Sequence, residues 1–382
     1  MDRVLVVGGG VAGTAVALSL HKAGLHATVF ERHAWGGDDA GAFLTLGGHG
    51  MLALDALDAA GPVADAGFGL HTLELTDSEG TSLGSRPLDP ARHDVPGYQC
   101  LRRAELYRVL QDEAARRGVA IERGRRLVRT QRCADGVRAI FADGSSATGE
   151  LLVGADGLRS TVRTVIDPEA PSLRYVGVQV FYGYADTAAP AADLGEIHMI
   201  RGSPGAFGYM VSPEGRIWWF ARLHGPELSG TEIAGTPPGQ WRDGLEVAFG
   251  RNRTPAAEIV AATGDQLFVT NAYDIPTLPA WHRDDMVVLG DAAHPASPAS
   301  GQGASMALED AVVLGKALRD ITDRVRALDA FERLRRPRTE ANVAASAALD
   351  AGQRPPVAAA ERSAASAATV ARWLDWNVPL DD

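Results

Sequence analysis

Cysteine is scarce, lysine scarcer still, and no run of apolar residues is long. Two of the 382 residues are cysteine, Cys100 and Cys133. With no CxxC pair and no metal-ligand spacing, a disulfide framework, a dithiol redox centre and a metal cluster are all disfavoured. Both cysteines read as packing residues of a protein in a reducing compartment, and the cytoplasm is the expected location. Lysine occurs only at Lys22 and Lys316, the other basic residues being arginine. No stretch reaches the roughly 20 apolar residues of a membrane helix. VLVVGGGVAGTAVALSL holds an imitation cleavage site at Ala15-Val16-Ala17, but Asp2-Arg3 before it has no net charge, so a signal peptide is not expected. Excess positive charge is lacking too. The formal charge of -11 would steer neither nucleic acid nor an anionic membrane toward the chain, which leaves a small molecule as the expected partner.

What is present is patterned as a globular protein, 46% hydrophobic and 22% charged. RVLVVG has the length of a buried parallel strand, VAGTAVALSLHKAG has helical spacing ended by Gly24, and HATVFER is a second strand, so the chain opens with a βαβ unit. GMLALDALDAAG predicts a short helix stopped by Gly61-Pro62. RAELYRVLQDEAARRG places Leu106, Val109, Leu110 and Ala114 on one face of an amphipathic helix. The turns at Ala134-Asp135-Gly136 and Ala142-Asp143-Gly144 separate short alternating runs, a β-meander. ELLVGADG and, much later, MVVLGD return to the buried-strand style. Between them lie β runs (YVGVQVFYGYAD, GEIHMIRG, AFGYMVSP, RIWWFARL), two helical patterns (PGQWRDGLEVAFG, PAAEIVAAT) and the strand QLFVTNAYDI. All that follows MVVLGD is helical except a break at Arg354-Pro355-Pro356. The expected class is α/β: a Rossmann-like nucleotide domain over 1–70, 98–171 and 268–382 with C-terminal helices. It is interrupted by a mostly antiparallel β-sheet domain over 71–97 and 172–267.

Three motifs sit at strand ends. Gly8-Gly9-Gly10-Val11-Ala12-Gly13 satisfies GxGxxG between strand and helix, with Glu31 and Arg32 closing the next strand. Such glycines permit a tight turn and close approach of a pyrophosphate, the N–H groups at Val11, Ala12 and Gly13 supply donors, and Glu31 suits a ribose. This unit alone does not distinguish FAD from NAD. The second motif is Asp156-Gly157 in LLVGADGLRSTVR, where a plain aspartate-capped turn is the competing reading. The third is Gly290-Asp291 in VVLGDAAHPASPASGQGASMALEDA. It has no Gly-Lys-Ser/Thr end and so is not a P-loop. It offers a carboxylate, Asp291, for a polyol, and a helix N-terminus at Gly301-Gln302-Gly303, Ala304 and Ser305 for a group that gains negative charge.

GxGxxG with its distal acid, then DG, then GD resembles the single-component FAD-dependent aromatic hydroxylases, the para-hydroxybenzoate hydroxylase-like monooxygenases, over roughly residues 3–345. The resemblance implies a Rossmann-like FAD-binding domain of the glutathione reductase type. It implies that Asp156 serves FAD and the nicotinamide cofactor, that Asp291 binds the ribityl chain, and that Arg103 approaches FAD from its helix. Pro295, Pro298 and the Gly301–Gly303 turn match the loop beside the isoalloxazine. Two departures stand out: Gly48-His49-Gly50 where relatives often have Pro-Asn-Gly, and Ser305 where asparagine is common.

By the same resemblance NADPH or NADH would reduce FAD, and O2 would form a flavin C4a-hydroperoxide that hydroxylates or epoxidises an electron-rich aromatic or polyketide-like molecule. The flavin then does the chemistry, so no triad and no metal are expected. Substrate-facing candidates are Met210, Trp218, Phe220, Arg222 and Pro298. Residues 218, 220 and 222 share one strand face and Trp219 and Ala221 the other; which face meets the ligand stays open, as does a monomer against a homodimer. Arg222 stands out because a buried arginine wants an anionic or phenolic partner. A flavin-dependent halogenase is the weaker alternative, since WxWxIP and its lysine are missing; a flavoprotein that binds a drug-like ligand without turnover is the other.

Overall fold

A computed structural model describes residues 3–34, 42–88, 94–134, 136–186, 193–202, 204–353 and 367–380; the expected break at 354–356 and the turn residue Asp135 lie outside them. The apolar run after Arg3 forms strand Val4–Val7, buried throughout. Helix α1, Val11–Lys22, follows the glycines, and strand Ala27–Glu31 pairs parallel with the first, as a βαβ crossover requires. Helices α2, Gly48–Ala56, and α3, Ala60–Asp65, come next. The expected stop at Gly61-Pro62 is corrected here. The chain breaks earlier, around Asp58 with its φ of 55°, and Pro62 lies in the first turn of α3, where a missing N–H is harmless. Helices α4, Arg103–Arg116, and α5, Thr161–Ile166, complete this part.

The resulting sheet has six strands in the order His282–Arg283, Met286–Val288, Leu151–Gly154, Val4–Val7, Ala27–Glu31, Ala120–Arg123. Only the edge strand His282–Arg283 runs antiparallel. Leu127–Cys133, Gly136–Phe141 and Ser146–Gly149 form the antiparallel meander.

A second sheet has seven strands: Thr263–Asp274, Arg174–Ala185, Ile217–His224, Gly205–Val211, Glu196–Arg201, Thr72–Asp77 and Ser82–Pro87. All its pairings are antiparallel except that of Glu196–Arg201 with Thr72–Asp77. The early hairpin thus joins strands more than a hundred residues later in the chain. Strand Thr263–Asp274 pairs in this sheet on both sides of position 267, so the expected boundary at 267/268 falls inside it. Helices α6, Gly230–Gly235, α7, Pro238–Phe249, and α8, Ala256–Ala261, follow the last hairpin. The apolar spacing gave no hint of α6, which rests on a capping box between Ser229 and Glu232 rather than on a buried stripe.

Strand alternation divides this sheet cleanly. Trp219 and Ala221 pack with Phe207, Phe249 and Ile259 under α7 and α8; Trp219 stacks on Phe207 at 5.4 Å and its Nε1 donates to Thr263 Oγ1 at 2.8 Å. Met210 and Trp218 face the other way, against Phe43, Cys100 and Tyr184.

Three helices close the chain: α9, Gly303–Asp320, α10, Arg324–Asp350, and α11, Ala367–Leu374. Both lysines hold the last of these segments. Buried Lys316 donates from Nζ to the carbonyls of Trp373 at 2.8 Å and Asp375 at 2.6 Å. Lys22 and Arg319 lie over the Trp376 ring at 5.5 and 4.8 Å. Among the described residues no helix is long and apolar enough to cross a membrane.

Candidate active site

The three motifs meet at the carboxyl ends of neighbouring parallel strands, where open α/β sheets bind their ligands. Gly8 has a φ of 105°, and a Cβ on it would stand 2.3 Å from the Ala155 carbonyl oxygen, so the first glycine loop touches the DG segment. A Cβ on Gly13 would stand 1.8 Å from Gly8 O. These two glycines are demanded by the protein's own packing. Gly10 is not: a Cβ there would meet nothing nearer than Tyr107 Oη at 3.8 Å. Its bareness leaves room for something the chain does not itself supply. Helix α1 has no side-chain cap, so the N–H groups of Val11, Ala12 and Gly13 are left for an anion at its positive end.

Glu31 closes its strand at the same edge. Its Oε2 accepts from Gly9 N at 2.6 Å and its Oε1 from His33 N at 2.8 Å. Arg32 beside it is exposed, 3.1 Å from His33 through Nε. The Gly9 carbonyl is held by Thr14 and by Gln111 of α4, at 3.1 and 2.9 Å. Gln111 escapes a reading of the sequence because its partner is 102 positions away.

Asp156 is turned inward. It accepts from Ser160 Oγ at 2.5 Å, Thr161 N at 2.7 Å and Val162 N at 3.1 Å, so it shapes the DG turn and anchors α5. Burial pushes its carboxyl above the ordinary range in spite of these bonds. Arg163, one turn on, donates to the carbonyls of Leu158 at 2.8 Å and Ala292 at 3.1 Å. The DG segment is thereby tied to the GD loop.

In that loop Gly290 has a φ of 59°, and its N–H donates to Asp310 Oδ2 at 3.0 Å. A Cβ on it would lie 3.0 Å from that of Ala12, so the third motif abuts the first. Asp291 is exposed. Arg103, at the start of α4, is exposed too, although Tyr107, Tyr182 and Asp291 surround it; burial works against its charge, but these three hold it above the ordinary arginine value. Accessible side chains so surrounded line a cleft. Pro298 is exposed along the same loop.

Helix α9 begins at Gly303, where a Cβ would meet nothing within 4 Å, and it too lacks a side-chain cap. The two departures from the family pattern fit each other here. Ser305 Oγ accepts from Gly47 N at 3.0 Å, and a Cβ on Gly50 would lie 2.5 Å from that oxygen. His49 stands between two helices, its Nε2 2.5 Å from Gln302 Oε1 and its Nδ1 2.6 Å from Glu309 Oε1. Gln302 in turn donates to Tyr98 Oη at 3.2 Å. Beneath lies a buried charge network. Arg335 of α10 bonds Glu309 and, at 2.7 Å, Asp310; Arg338 bonds Glu309 at 2.9 Å; His294 lies 2.6 Å from Asp310. None of these network residues was singled out from the sequence, since a mixed run of charges on α10 reads as a solvated face.

Tyr182, which faces Arg103, belongs to the Trp218 face of the seven-stranded sheet. Tyr182 pairs with Phe220 and Tyr184 with Trp218, and Met210 also lies opposite Trp218, so all five share that face. Phe43 meets Tyr182 edge-on at 5.6 Å. Burial raises the Tyr182 phenol, opposed by Arg103 from one side and Arg222 from the other. Tyr182 and Tyr184 were within reach of strand alternation in YVGVQVFYGYAD, but the register that sets them opposite Trp218 and Phe220 was not. Arg222 has its anionic partner inside the protein, Asp350 of α10, at 2.9 Å. A surface hollow lined by Arg3, Arg132, Cys133, Glu150, Asp285 and Arg324 lies at the opposite ends of the strands and contains none of the expected site residues.

The family model described as FAD binding domain matches residues 1–346. The chain is 31% identical over 346 residues to the aurachin C monooxygenase/isomerase of Stigmatella aurantiaca, spanning 90% of this chain and 87% of that one. It is 31% identical over 345 residues to the 3-amino-4-hydroxybenzoate 2-monooxygenase of Streptomyces cremeus, spanning 88% and 84%. Among solved structures, Klebsiella pneumoniae HpxO complexed with FAD and uric acid superposes with a TM-score of 0.80 at 25% identity, covering 97% of this chain and 92% of that one.

Proposed function

Since the chain belongs to the FAD-dependent aromatic hydroxylases that share this FAD binding domain, we propose that it uses NAD(P)H and O2 to hydroxylate or epoxidise an electron-rich aromatic or polyketide-like small molecule held against the Trp218 face. The observation that supports this most is Gly10 and Gly303, two open glycines at two uncapped helix N-termini on either side of Asp291. That spacing suits the two ends of one FAD. Val11, Ala12 and Gly13 would take the pyrophosphate, Glu31 and Arg32 the adenosine ribose, and Asp291 the ribityl hydroxyls. Gly301, Gly303, Ala304 and Ser305 would lie beneath the ring, with Pro298 and Arg103 at its edge. Bound FAD supplies the activation of O2 with electrons from NAD(P)H.

The chain's own residues bind, orient and shield. The uncapped start of α9 favours negative charge on whatever lies before it. Phe43, Tyr182, Tyr184, Trp218 and Phe220, with Met210 among them, would exclude water, and the five rings would present aromatic edges to a flat ligand. Residues 1–70, 98–171 and 275–382 would form the FAD domain and 71–97 with 172–274, which keeps strand Thr263–Asp274 whole, the substrate domain. A non-catalytic flavin binder is disfavoured because the relatives named above are monooxygenases.

The test is NAD(P)H oxidation across a panel of phenols, anilines and quinolines. Stimulation coupled to a product heavier by one oxygen is expected; no flavin reduction by either nicotinamide would overturn the reading. A paired substitution separates the two faces of the sheet. Trp218→Ala is expected to raise KM for the stimulating aromatic at least tenfold in the folded enzyme that survives, since this ring too is packed, against Phe43 and Phe68. Trp219→Ala, on the helix-covered face, is expected to cost roughly 3–5 kcal/mol in urea unfolding and to leave KM of the surviving folded enzyme nearly unchanged.

A further inference from the structure

We propose that Asp350 sets the charge specificity of the cleft: by holding Arg222 in a neutral pair, it makes the cleft select uncharged aromatic rings over rings bearing a carboxylate. The inference rests on the reading that the Trp218 face meets the substrate.

Arg222 lies on that face by register. It sits opposite Val180 on one neighbouring strand and Ala206 on the other, two residues along from Phe220. A guanidinium in such a wall is a ready fork for a carboxylate. Here one arm of the fork is already taken. Arg222 Nη1 donates to Asp350 Oδ1 at 2.9 Å, with 10% and 4% of the two side chains exposed. Asp350 comes from the last turn of α10, outside the sheet altogether, so the sheet needs no aspartate there for its own pairing.

The pair is also poor as a purely structural device. Asp350 Oδ2 is buried with no well-formed hydrogen bond, Ser297 standing beside the carboxylate. Burial raises the Asp350 carboxyl and lowers the Arg222 guanidinium, so each charge is costly where it stands. The surrounding charges do not make the pair redundant. Arg201 and Tyr182 face Arg222, while His224 and Asp274 face Asp350, and Arg103 lies beyond Tyr182. Without Asp350 the wall would carry an uncompensated guanidinium, with Arg103 adding the same sign.

The test uses the FAD-loaded full-length protein at pH 8 and two probes of one shape, benzoate and benzamide, titrated to tens of millimolar while the flavin absorbance is read. In the wild type benzamide is expected to bind at least as tightly as benzoate. Asp350→Asn should move the ratio of the two dissociation constants at least tenfold toward benzoate, and Asp350→Ser, read alongside in case the first variant does not fold, should move it the same way. Arg222→Gln combined with Asp350→Asn should return the ratio to the wild-type value. Binding of both probes with a ratio within twofold of wild type in the Asp350 variants overturns the proposal and leaves the substrate wall standing. If neither probe perturbs the flavin in any folded variant, the wall itself is misplaced, and the proposal falls with it.

Discussion

Gly10→Leu is expected to give a folded protein that no longer holds FAD, whereas Gly13→Ala, the smaller change, gives little folded protein at all. The contrast follows from what each added carbon would meet. At Gly13 a Cβ lands 1.8 Å from the Gly8 carbonyl oxygen, a backbone atom fixed between two parallel strands. Strand, loop and helix must separate to admit it; overpacking typically costs roughly 1–3 kcal/mol, and a clash with fixed backbone belongs at the top of that range or above it. At Gly10 the backbone is already extended, with φ -76° and ψ -165°, and a Cβ would touch only the Tyr107 phenol, at an ordinary 3.8 Å. A leucine there fills the space assigned to the pyrophosphate and blocks the N–H groups of α1. Hydrogen bonds to a charged group contribute roughly 1.5–3 kcal/mol each, and 1.4 kcal/mol is tenfold. Losing two of them weakens FAD at least about 100-fold. Circular dichroism, urea midpoints and flavin content of the two purified variants read both arms; a Gly10→Leu protein that keeps its FAD would show that the glycine loop is only structural.

The second large effect is at Arg335. Its side chain is fully buried, bonded to Glu309 and to Asp310, and these adjacent acids of α9 have no route to solvent. Burial alone would push both carboxyls up. The neighbours reverse that, Arg335 and His49 at Glu309, His294 and Arg335 at Asp310, so that Glu309 is held well below and Asp310 below the ordinary value. Groups with depressed values stabilise the fold above the ordinary carboxylate range and lose that contribution as pH falls through the folded value. Arg335→Met removes the shared partner and leaves buried negative charge, a loss of roughly 3–5 kcal/mol. The defect should be larger at pH 8 than at pH 5, because protonation of the stranded acids relieves it. Because Glu309 also meets His49, which braces Gln302 ahead of α9, the variant should release flavin before it unfolds. Urea unfolding at the two pH values checks this; an equal defect at both would mean that packing, not charge, is what Arg335 provides.

The sequence discloses those parts of the site that one strand end and the next few residues build by themselves. Gly8, Glu31, Asp156 and Gly290-Asp291 all stand at carboxyl ends of parallel strands, and Gly13 in the first turn of the helix that follows, where period and punctuation place them. What escapes is whatever depends on distant pairing. Tyr182 joins Trp218 and Phe220 only through a register across 38 positions. Asp350 reaches Arg222 across 128, so the arginine's anionic partner was expected and its identity was not. Helix α2 begins two residues before the apolar pattern shows it, because Gly47 and His49 are held by α9 and its preceding loop rather than by their own propensity. Asp156 illustrates the opposite case. Its motif is plain, yet its oxygens serve Ser160 and the start of α5, so its value to a cofactor is the shape of the turn.

Two glycine-bearing loops, one before α1 and one before α9, are assigned to opposite ends of a single dinucleotide. The direct measurement is the identity and stoichiometry of the nucleotide released when the purified, reconstituted protein is denatured. One FAD per chain is expected, together with the loss of that same FAD on Gly10→Leu. Two nucleotides per chain, a flavin without its adenosine half, or a colourless protein that takes up no flavin would contradict the assignment.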